Sequence, residues 1–249
     1  MRKSIGRKPG IGAILLTAGF YPLMAVWVLG CVVFSPFLIA IHRAATGRDL
    51  DRVVRFWIKV HGKGLLAIVS PFVRFRKEGL ENIPAPCILA ANHLSFVDGY
   101  LMSLLPFHDM SFAVGAWPFK MLWYSPFMRL AGYIDVENTG WDDAVSRCRQ
   151  VASKGGRMLF FPEGHRSRDG RLQPFRSGCF RMSIETGLPL VPLCISGSGV
   201  LLPPGSYWLH PADIRLKALP AFDPSDYQGP GGAARMSKAV RKRMEEELA

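Results

Sequence analysis

Two apolar stretches of the sequence each end in polar side chains of the kinds that enzymes use. The run "CILAANHLSFVDG", residues 87 to 99, becomes polar at Asn92, His93, Ser95 and Asp98. The run "LFFPEGHRSRDGR", residues 159 to 171, becomes polar at Glu163, His165, Arg166 and Arg168. Charge at the end of a buried strand is costly unless it has a partner. Two strand ends of the same design therefore predict one shared site.

His93 and Asp98 are spaced as a strand-to-helix turn requires, with Asp98 capping the helix that follows. A carboxylate that accepts a hydrogen bond from one imidazole nitrogen fixes the tautomer and makes the other nitrogen a better base. No G-x-S-x-G pattern supplies a protein nucleophile. The pair is therefore predicted to activate a hydroxyl that the substrate brings. A lone histidine beside a helix-capping aspartate is the simpler alternative.

The second cluster predicts an anion site. Arg166 offers a guanidinium fork that fits a phosphate, and Glu163 is placed to orient donors or an acceptor hydroxyl. The competing interpretation is a metal site of mixed nitrogen and oxygen ligands, formed by His93, Asp98, Glu163 and His165. Their spacing matches no recognised ligand pattern, and the neighbouring arginines would repel a cation. We therefore expect no metal and no resident cofactor.

The elements that must position these clusters alternate between strands and helices after Pro71. Apolar runs predict strands at about 72 to 77, 87 to 92, 111 to 115, 133 to 137, 157 to 162, 190 to 196 and 213 to 219. Helices are predicted at Asp98 to Leu105, Phe119 to Leu130, Trp141 to Ser153, Ser177 to Thr186 and from about Ser237. Continuous apolar strands are typical of sheets covered on both faces, so an α/β fold with a mixed, mostly parallel sheet is expected. In such sheets function gathers at the carboxyl ends of the strands, where both clusters lie.

The N-terminus is predicted to be embedded in a membrane. Residues 11 to 41 contain no Asp, Glu, Lys or Arg, and about 20 apolar residues suffice to cross a bilayer. Basic residues flank this run on both sides, namely Arg2, Lys3, Arg7 and Lys8 before it and Arg43, Arg48, Arg52 and Arg55 after it. Because basic flanks stay cytoplasmic, both ends of the run lie on one side of the membrane. The run is therefore predicted to form a hairpin that dips into one leaflet and bends near residues 19 to 22 or near Gly30. A single tilted span is the alternative.

A basic helix is predicted to follow at the membrane surface. Arg48, Arg52, Arg55, Lys59 and Lys63 recur at helical spacing beside an apolar, aromatic face, which suits anionic headgroups. The net charge of +12 fits anionic membrane lipids as partners, and the apolar N-terminus excludes nucleic acid. We divide the chain into an anchoring segment, residues 1 to 70, and a catalytic domain, residues 71 to 249. Five cysteines without close pairing place the protein on the cytoplasmic face of the cell inner membrane.

Four ordered motifs resemble those of one enzyme family. "NHLSFVD" at 92 to 98 resembles the NHxxxxD motif of the glycerolipid acyltransferases, and "FPEGHRS" at 161 to 167 resembles their FPEGTRS motif. "PFRSG" at 174 to 178 and "LPLVPLCI" at 188 to 195 look like later landmarks. The resemblance covers about residues 70 to 200 and is strongest to the 1-acyl-sn-glycerol-3-phosphate acyltransferases. Members of that family are membrane-bound and pass a fatty acyl group from acyl carrier protein or coenzyme A to a lysophosphatidate hydroxyl.

The resemblance implies a role for each matching residue. His93 would take the proton of the acceptor hydroxyl, and Asp98 would hold His93 in place. The acceptor's polar head would be bound by residues of the two motifs, namely Asn92, Glu163, Gly164, Arg166 and Ser167. Pro192 and its apolar neighbours would shape the region near the acyl chain.

The sequence also departs from the family pattern. Glu137 and Asn138 stand where the family commonly has an arginine that holds the acceptor phosphate, and His165 replaces the usual threonine. The acceptor is therefore either lysophosphatidate, with Arg129 supplying the missing cation, or another lyso-lipid such as a lyso-ornithine lipid that Glu137 favours. Two other classes stay open: a membrane hydrolase that uses the same pair to activate water, and a lipid-binding protein without catalysis.

Overall fold

The computed structural model describes residues 9–122 and 124–249, and the basic residues predicted to flank the apolar run at positions 2 to 8 lie outside them. Seven strands form one sheet: β1 (Val73–Glu78), β2 (Cys87–Ala91), β3 (Met110–Val114), β4 (Ile134–Asp135), β5 (Arg157–Phe160), β6 (Leu190–Ser196) and β7 (Ala212–Ala218). The helices are α1 (Ile11–Thr46), α2 (Leu50–Val69), α3 (Asp98–Leu101), α4 (Ser125–Leu130), α5 (Trp141–Ser153), α6 (Gly178–Thr186), α7 (Ser198–Leu201) and α8 (Gly232–Leu248). Each predicted strand overlaps an observed one.

The strand order in the sheet is β1-β7-β6-β2-β5-β3-β4. β6, β2, β5, β3 and β4 run parallel to one another, whereas β7 is antiparallel to β6 and parallel to β1. The mixed, mostly parallel sheet is therefore confirmed. β2 and β5 are direct neighbours, with Leu89 opposite Leu159, so their carboxyl ends meet at one edge of the sheet.

Both faces of the sheet are covered, which explains why its central strands are continuous apolar runs. Every residue of β2 is buried, and successive side chains join opposite cores. Leu89 belongs to the core beneath α1, α2 and α3, whereas Ile88 belongs to the core beneath α5, α6 and α8. Leu16 of α1 and Leu66 of α2 are buried in the first core, so the N-terminal helices are part of the folded unit.

Two predicted helices are shorter than expected. The helix predicted from Asp98 to Leu105 is the short α3 followed by a 3-10 turn over Met102–Leu104. The helix predicted from Phe119 to Leu130 is a 3-10 turn over Trp117–Lys120 and then α4. Pro126 near the start of α4 fits that boundary, because proline is best tolerated in the first turn of a helix, where its missing N–H would have no partner.

The hairpin predicted within residues 11 to 41 is wrong, because α1 is one continuous helix of 36 residues. The turn lies instead at Gly47, whose left-handed backbone (φ 64°) ends α1 and lets its N–H bond to the carbonyl of Arg43. α2 then runs back antiparallel to α1. Trp27 donates a 3.1 Å hydrogen bond to the carbonyl of His61, and Ile39 packs in a core with Val54. This packing supports the helix through the positions where a bend was expected.

The basic stripe predicted to face anionic headgroups is also wrong for most of α2. Arg55 is 2% exposed, and its guanidinium donates 2.8 Å hydrogen bonds to Asp109, Asp51 and the carbonyl of Ala131. Arg52 Nε lies 2.8 Å from the other oxygen of Asp109 in an ion pair. The helical spacing that suggested a lipid-facing stripe therefore places these cations against the catalytic domain.

Lys59 is also turned toward the folded domain and away from the lipid. Its ammonium donates to the carbonyls of Leu105 and Phe107 at 2.5 and 2.7 Å, and burial lowers the pKa of Lys59 to about 8. Three successive cations of α2 thus attach the helix to the domain. The division of the chain at residue 70 falls between α2 and β1 and stays a prediction.

We expect Asp109→Ala to lower the free energy of unfolding by about 3 to 5 kcal/mol, because it removes the carboxylate that pairs with Nε of the buried Arg55 and with Arg52. Unfolding by urea in detergent, followed by intrinsic fluorescence, measures the change. Glu246→Ala is the matched control, because it breaks an exposed ion pair with Arg243 and should change stability little. Equal effects of the two variants would contradict a structural role for the buried pair.

Candidate active site

The sheet brings the two polar clusters together. Glu163, after β5, accepts a hydrogen bond from the backbone N–H of His93, after β2, at 2.6 Å. The backbone N–H of Ser167 donates in the other direction to the carbonyl of His93 at 2.7 Å. The prediction of one shared site at this edge of the sheet is confirmed by these contacts.

The side chains of His93 and Asp98 form a close pair. His93 Nδ1 lies 2.8 Å from Asp98 Oδ2, and the same oxygen accepts from the backbone N–H groups of Leu94 and Ser95 at 2.6 and 2.8 Å. Asp98 is fully buried. Its predicted role as a helix cap is wrong, because Asp98 is the first residue of α3 and its carboxylate is turned back to the preceding loop. That loop is thereby wrapped around one carboxylate oxygen.

The Asp98 contact sets the orientation of the His93 ring. If Nδ1 carries the proton toward Asp98, Nε2 is left with its lone pair. The ring stacks on Phe161, with 4.4 Å between ring centroids, and lines a large cavity. Within the described residues, Nε2 has no hydrogen-bond partner. The geometry therefore presents a fixed imidazole base to the cavity.

The sequence suggested that Glu163 binds the polar head of the acceptor. In the structure its side chain is not placed to do so directly. It is 2% exposed, and its second oxygen accepts from the backbone N–H of Gln173 at 2.8 Å. Burial raises the pKa of Glu163, although the backbone N–H groups of Gln173 and His93 oppose that rise. Its carboxylate joins three segments of backbone around the site.

Asn92 and Ser167 are also turned away from the cavity. The Asn92 amide donates to the carbonyl of Ile195 at 2.9 Å and accepts from its N–H at 2.7 Å, which joins β2 to β6. The Ser167 hydroxyl donates to the carbonyl of Arg171 at 2.7 Å. Both side chains are 2% exposed, so the predicted contact with the acceptor is replaced by support of the loops.

Gly164 and Arg166 do line the cavity, as predicted. Gly164 has a left-handed backbone (φ 73°), and a Cβ there would lie 2.6 Å from Nε of Arg176. The absence of a side chain thus lets Arg176 lie against the loop. Arg168, named in the second polar cluster, lines the same cavity, as does Arg176, which sequence reasoning missed although it belongs to the "PFRSG" motif.

Pro192 and Arg129 do not reach the cavity. Pro192 is buried within β6, opposite Ala90 of β2, so it cannot shape the cavity wall directly. Arg129 is exposed on α4, where Nε donates to the Ser125 hydroxyl at 3.3 Å and the guanidinium lies over the ring of Phe119. Neither residue stands where its predicted substrate contact requires.

Glu137 and Asn138, which stand where the family commonly has an arginine, differ in position. Glu137 is exposed and lines the cavity, with its carboxylate against Gly115 at the end of β3. The Asn138 amide instead donates to Asp135 at 2.8 Å, and Asn138 is not part of the cavity wall. Glu137 is therefore the one of the pair that can meet a ligand.

The cavity has a volume of about 1800 Å³ and connects the polar site to the N-terminal helices. Its polar end contains His93, Arg166 and Arg176, and its apolar walls include Val26 of α1 and Ile58 of α2. Such a shape can hold a long apolar chain with a charged group at one end. Among the described residues, no group of three or more His, Cys, Asp or Glu is arranged to hold a metal ion.

Comparison with known proteins identifies relatives of this architecture. The sequence profile of the family described as Acyltransferase matches residues 74–196. The chloroplastic 1-acyl-sn-glycerol-3-phosphate acyltransferase BAT2 of Brassica napus is 36% identical over 160 residues, which are 59% of this chain and 45% of that protein. The chloroplastic 1-acyl-sn-glycerol-3-phosphate acyltransferase LPAT1 of Arabidopsis thaliana is 35% identical over 149 residues, 55% of this chain and 40% of that protein. The chain spans less than half the length of these two relatives.

A crystal structure from Thermotoga maritima is similar over nearly the whole chain. It is the 1-acyl-sn-glycerophosphate (LPA) acyltransferase PlsC, with a TM-score of 0.75, 26% sequence identity and coverage of 95% of each chain. Coverage of that extent includes α1 and α2 as well as the sheet. The similarity in fold therefore extends over the N-terminal helices as well as the sheet.

We expect Glu163→Gln to lower the free energy of unfolding by about 1 to 3 kcal/mol, because the carboxamide presents an NH₂ to one of two buried N–H donors. Glu137→Gln is the control, since Glu137 is exposed and its neutralisation breaks no buried contact. Urea unfolding in detergent measures both variants. Unchanged stability of Glu163→Gln would show that the carboxylate does not hold the loops together.

Proposed function

We propose that the chain is a member of the acyltransferase family, as its motifs predicted, and that it transfers a fatty acyl group from an acyl thioester to the free hydroxyl of a lysophospholipid. The acceptor proposed first is 1-acyl-sn-glycerol 3-phosphate, which would give phosphatidate. The donor is acyl carrier protein or coenzyme A thioester. The observation that carries the proposal is the His93 and Asp98 pair at the polar end of an apolar cavity.

The pair supplies general base catalysis. Nε2 of His93 takes the proton of the acceptor hydroxyl as its oxygen attacks the thioester carbonyl, and Asp98 stabilises the imidazolium that forms. When the tetrahedral intermediate collapses, the carbon–sulfur bond breaks and His93 returns the proton to the thiolate. The products are an ester and a free thiol. No acyl-enzyme is needed, because the nucleophile is the acceptor's own oxygen.

The arginines at the polar end would bind the acceptor's anionic head. Arg166 is exposed in the cavity and has no ion-pair partner among the described residues, and Arg176 lies beside the same loop. Two guanidinium groups on one loop suit a phosphate, which takes bidentate hydrogen bonds from arginine. Holding the head near β5 leaves the acceptor hydroxyl close to His93 on the neighbouring strand.

The N-terminal helices would hold the protein on the membrane with the cavity open to lipid. α1 contains an 18-residue stretch with a mean hydropathy of 2.4 and is exposed along one face. Its 36 residues correspond to about 54 Å of helix, yet it packs on the folded domain near both ends, at Leu16 and at Ile39. That packing favours a helix lying in one leaflet over a crossing span. We assign it to the cytoplasmic face of the inner membrane, where the five free cysteines stay reduced.

Glu137 supports a second acceptor. A carboxylate in a cavity lined by arginines would bind an ammonium group, so a lyso-lipid that carries both an anion and an amine, such as a lyso-ornithine lipid, would satisfy both. Hydrolysis is the other alternative, because the His93 and Asp98 pair can activate water as well as a lipid hydroxyl.

Product analysis tests the proposal. Purified protein in phospholipid vesicles is incubated with an acyl thioester and a panel of lyso-lipids, and the products are identified by mass spectrometry. An acylated lyso-lipid supports transfer and its identity names the acceptor. Free fatty acid alone would indicate a hydrolase, and unchanged substrates would indicate a lipid-binding protein.

We expect His93→Ala to reduce turnover by about 10²- to 10⁴-fold, because it removes the positioned base. Asp98→Asn should also be severe, since a neutral amide does not stabilise the imidazolium charge as the Asp98 carboxylate does. Membrane association and urea unfolding serve as controls for folding. Retained turnover in a folded His93→Ala protein would refute the assignment, and activity lost in EDTA and restored by a divalent metal would favour metal chemistry.

We expect Glu137→Arg to shift preference toward lysophosphatidate relative to an amine-bearing lyso-lipid by about ten- to hundredfold, corresponding to about 1.5 to 3 kcal/mol for a charge-assisted hydrogen bond. The ratio of kcat/KM for the two acceptors measures the shift. Asn138→Arg is the matched control, because Asn138 lies outside the cavity wall. A wild-type enzyme selective for lysophosphatidate and an unchanged ratio in Glu137→Arg would refute a role for Glu137 in acceptor choice.

A further inference from the structure

A second apolar surface lies away from the cavity, on the loop between α7 and β7. Tyr207 is 83% exposed and Trp208 is 42% exposed, and Val200 of α7 and Phe72 before β1 are 48% and 37% exposed. Large apolar side chains exposed singly are ordinary, but a cluster of them marks an interaction surface. We call these four residues the aromatic loop surface.

The aromatic loop surface is fixed to the first turns of α1. The Tyr21 hydroxyl donates to the carbonyl of Tyr207 at 2.8 Å, and the Thr17 hydroxyl accepts from the N–H of Leu209 at 3.0 Å. Leu209 is fully buried in the core that also contains Leu16 of α1. The loop therefore lies beside the first turns of α1.

The outer face of α1 near the loop is apolar as well. Ile11 is 79% exposed and Leu15 is 59% exposed, and the exposed apolar face continues along the helix. Tyr207 is held beside this part of α1, because its carbonyl accepts a hydrogen bond from the Tyr21 hydroxyl. Arg74 borders the surface, where it lines a shallow groove with Phe72 and Val200.

We propose that the aromatic loop surface is a second membrane contact, in which Tyr207 and Trp208 sit among lipid headgroups beside the embedded α1. Tyrosine and tryptophan favour this zone, since their rings are apolar and their polar tips stay wet. The loop and α1 together hold the catalytic domain at two places, which fixes its tilt on the bilayer. The inference depends on α1 lying in lipid and not on the acyl-transfer reaction.

A fluorescent probe on the loop tests the inference in the full chain. Tyr207→Cys, in a chain with Cys31→Ser, is labelled with an environment-sensitive dye. The other four cysteines are buried, which raises the pKa of their thiols, to about 12 for Cys87, Cys148 and Cys194, and leaves them unreactive. The labelled protein is added to phosphatidylethanolamine and phosphatidylglycerol vesicles that contain nitroxide-labelled lipid.

We expect the Tyr207 probe to lose fluorescence to the nitroxide as strongly as a probe at Leu29 on the exposed face of α1. A probe at Lys238, exposed on α8 beside the opposite core, is the negative control and should keep its fluorescence. A quenched Leu29 probe with an unquenched Tyr207 probe would overturn the inference, as would an unquenched Leu29 probe. A Tyr207 probe that responds to acidic acyl carrier protein and not to vesicles would assign the surface to a protein and also overturn it.

A double variant provides an independent readout. Tyr207→Asp with Trp208→Asp should lose activity toward acceptor in vesicles several-fold and keep activity toward acceptor in detergent micelles, where the tilt on a bilayer is irrelevant. Equal activity in vesicles and in micelles would overturn the inference. Loss in both would also overturn it, since it would show damage to the fold or the site. Acyl transfer by the wild-type chain in micelles tests the proposed reaction separately.

Discussion

The site depends on one buried carboxylate that belongs to neither of the reacting groups. Glu163 accepts from the backbone of His93 and from the backbone of Gln173, so the loops after β2 and β5 and the segment before α6 are held by two oxygens. A buried carboxylate is tolerated only when such donors surround it. Removing it would leave two N–H groups without acceptors next to the catalytic histidine. The catalytic pair can be rigid because this link keeps its loop in place.

A second group of buried charges solves a different problem. An apolar cavity beside a lipid-facing helix could collapse unless the helix over it is held at a fixed distance. Arg55 and Lys59 of α2 supply that hold by ending on Asp109 and on the carbonyls of Leu105 and Phe107. These contacts are directional, whereas apolar packing alone would allow α2 to slide. The cavity thus keeps its shape while its walls stay apolar.

The sequence predicted the sheet and the pairing of His93 with Asp98 because both have strong local signals. β2 reads as a short apolar run, and the histidine and aspartate follow it at a spacing set by one turn. The predictions that failed for the N-terminal helices concern partners distant in sequence. Nothing near Arg55 indicates that Asp109 lies opposite, and nothing near Gly30 indicates that α2 packs along α1. Glu163 was recognised as functional, but only the structure reveals that both its oxygens accept from backbone.

The order of the strands fixes the order of three side chains across the site, and this order bears on the choice of acceptor. His93 follows β2, Arg166 follows β5, and the carboxylate of Glu137 lies at the end of β3, so the three side chains stand over three successive strands. Neighbouring strands are about 4.8 Å apart, so the ends of β2 and β3 are about 10 Å apart across the sheet. A lyso-lipid whose hydroxyl is at His93 and whose anion is at Arg166 would reach Glu137 only with a further polar group beyond the anion. A bare phosphate head ends before that point, and for it Glu137 is a repulsive neighbour, so the two acceptors differ in how far they extend along the sheet.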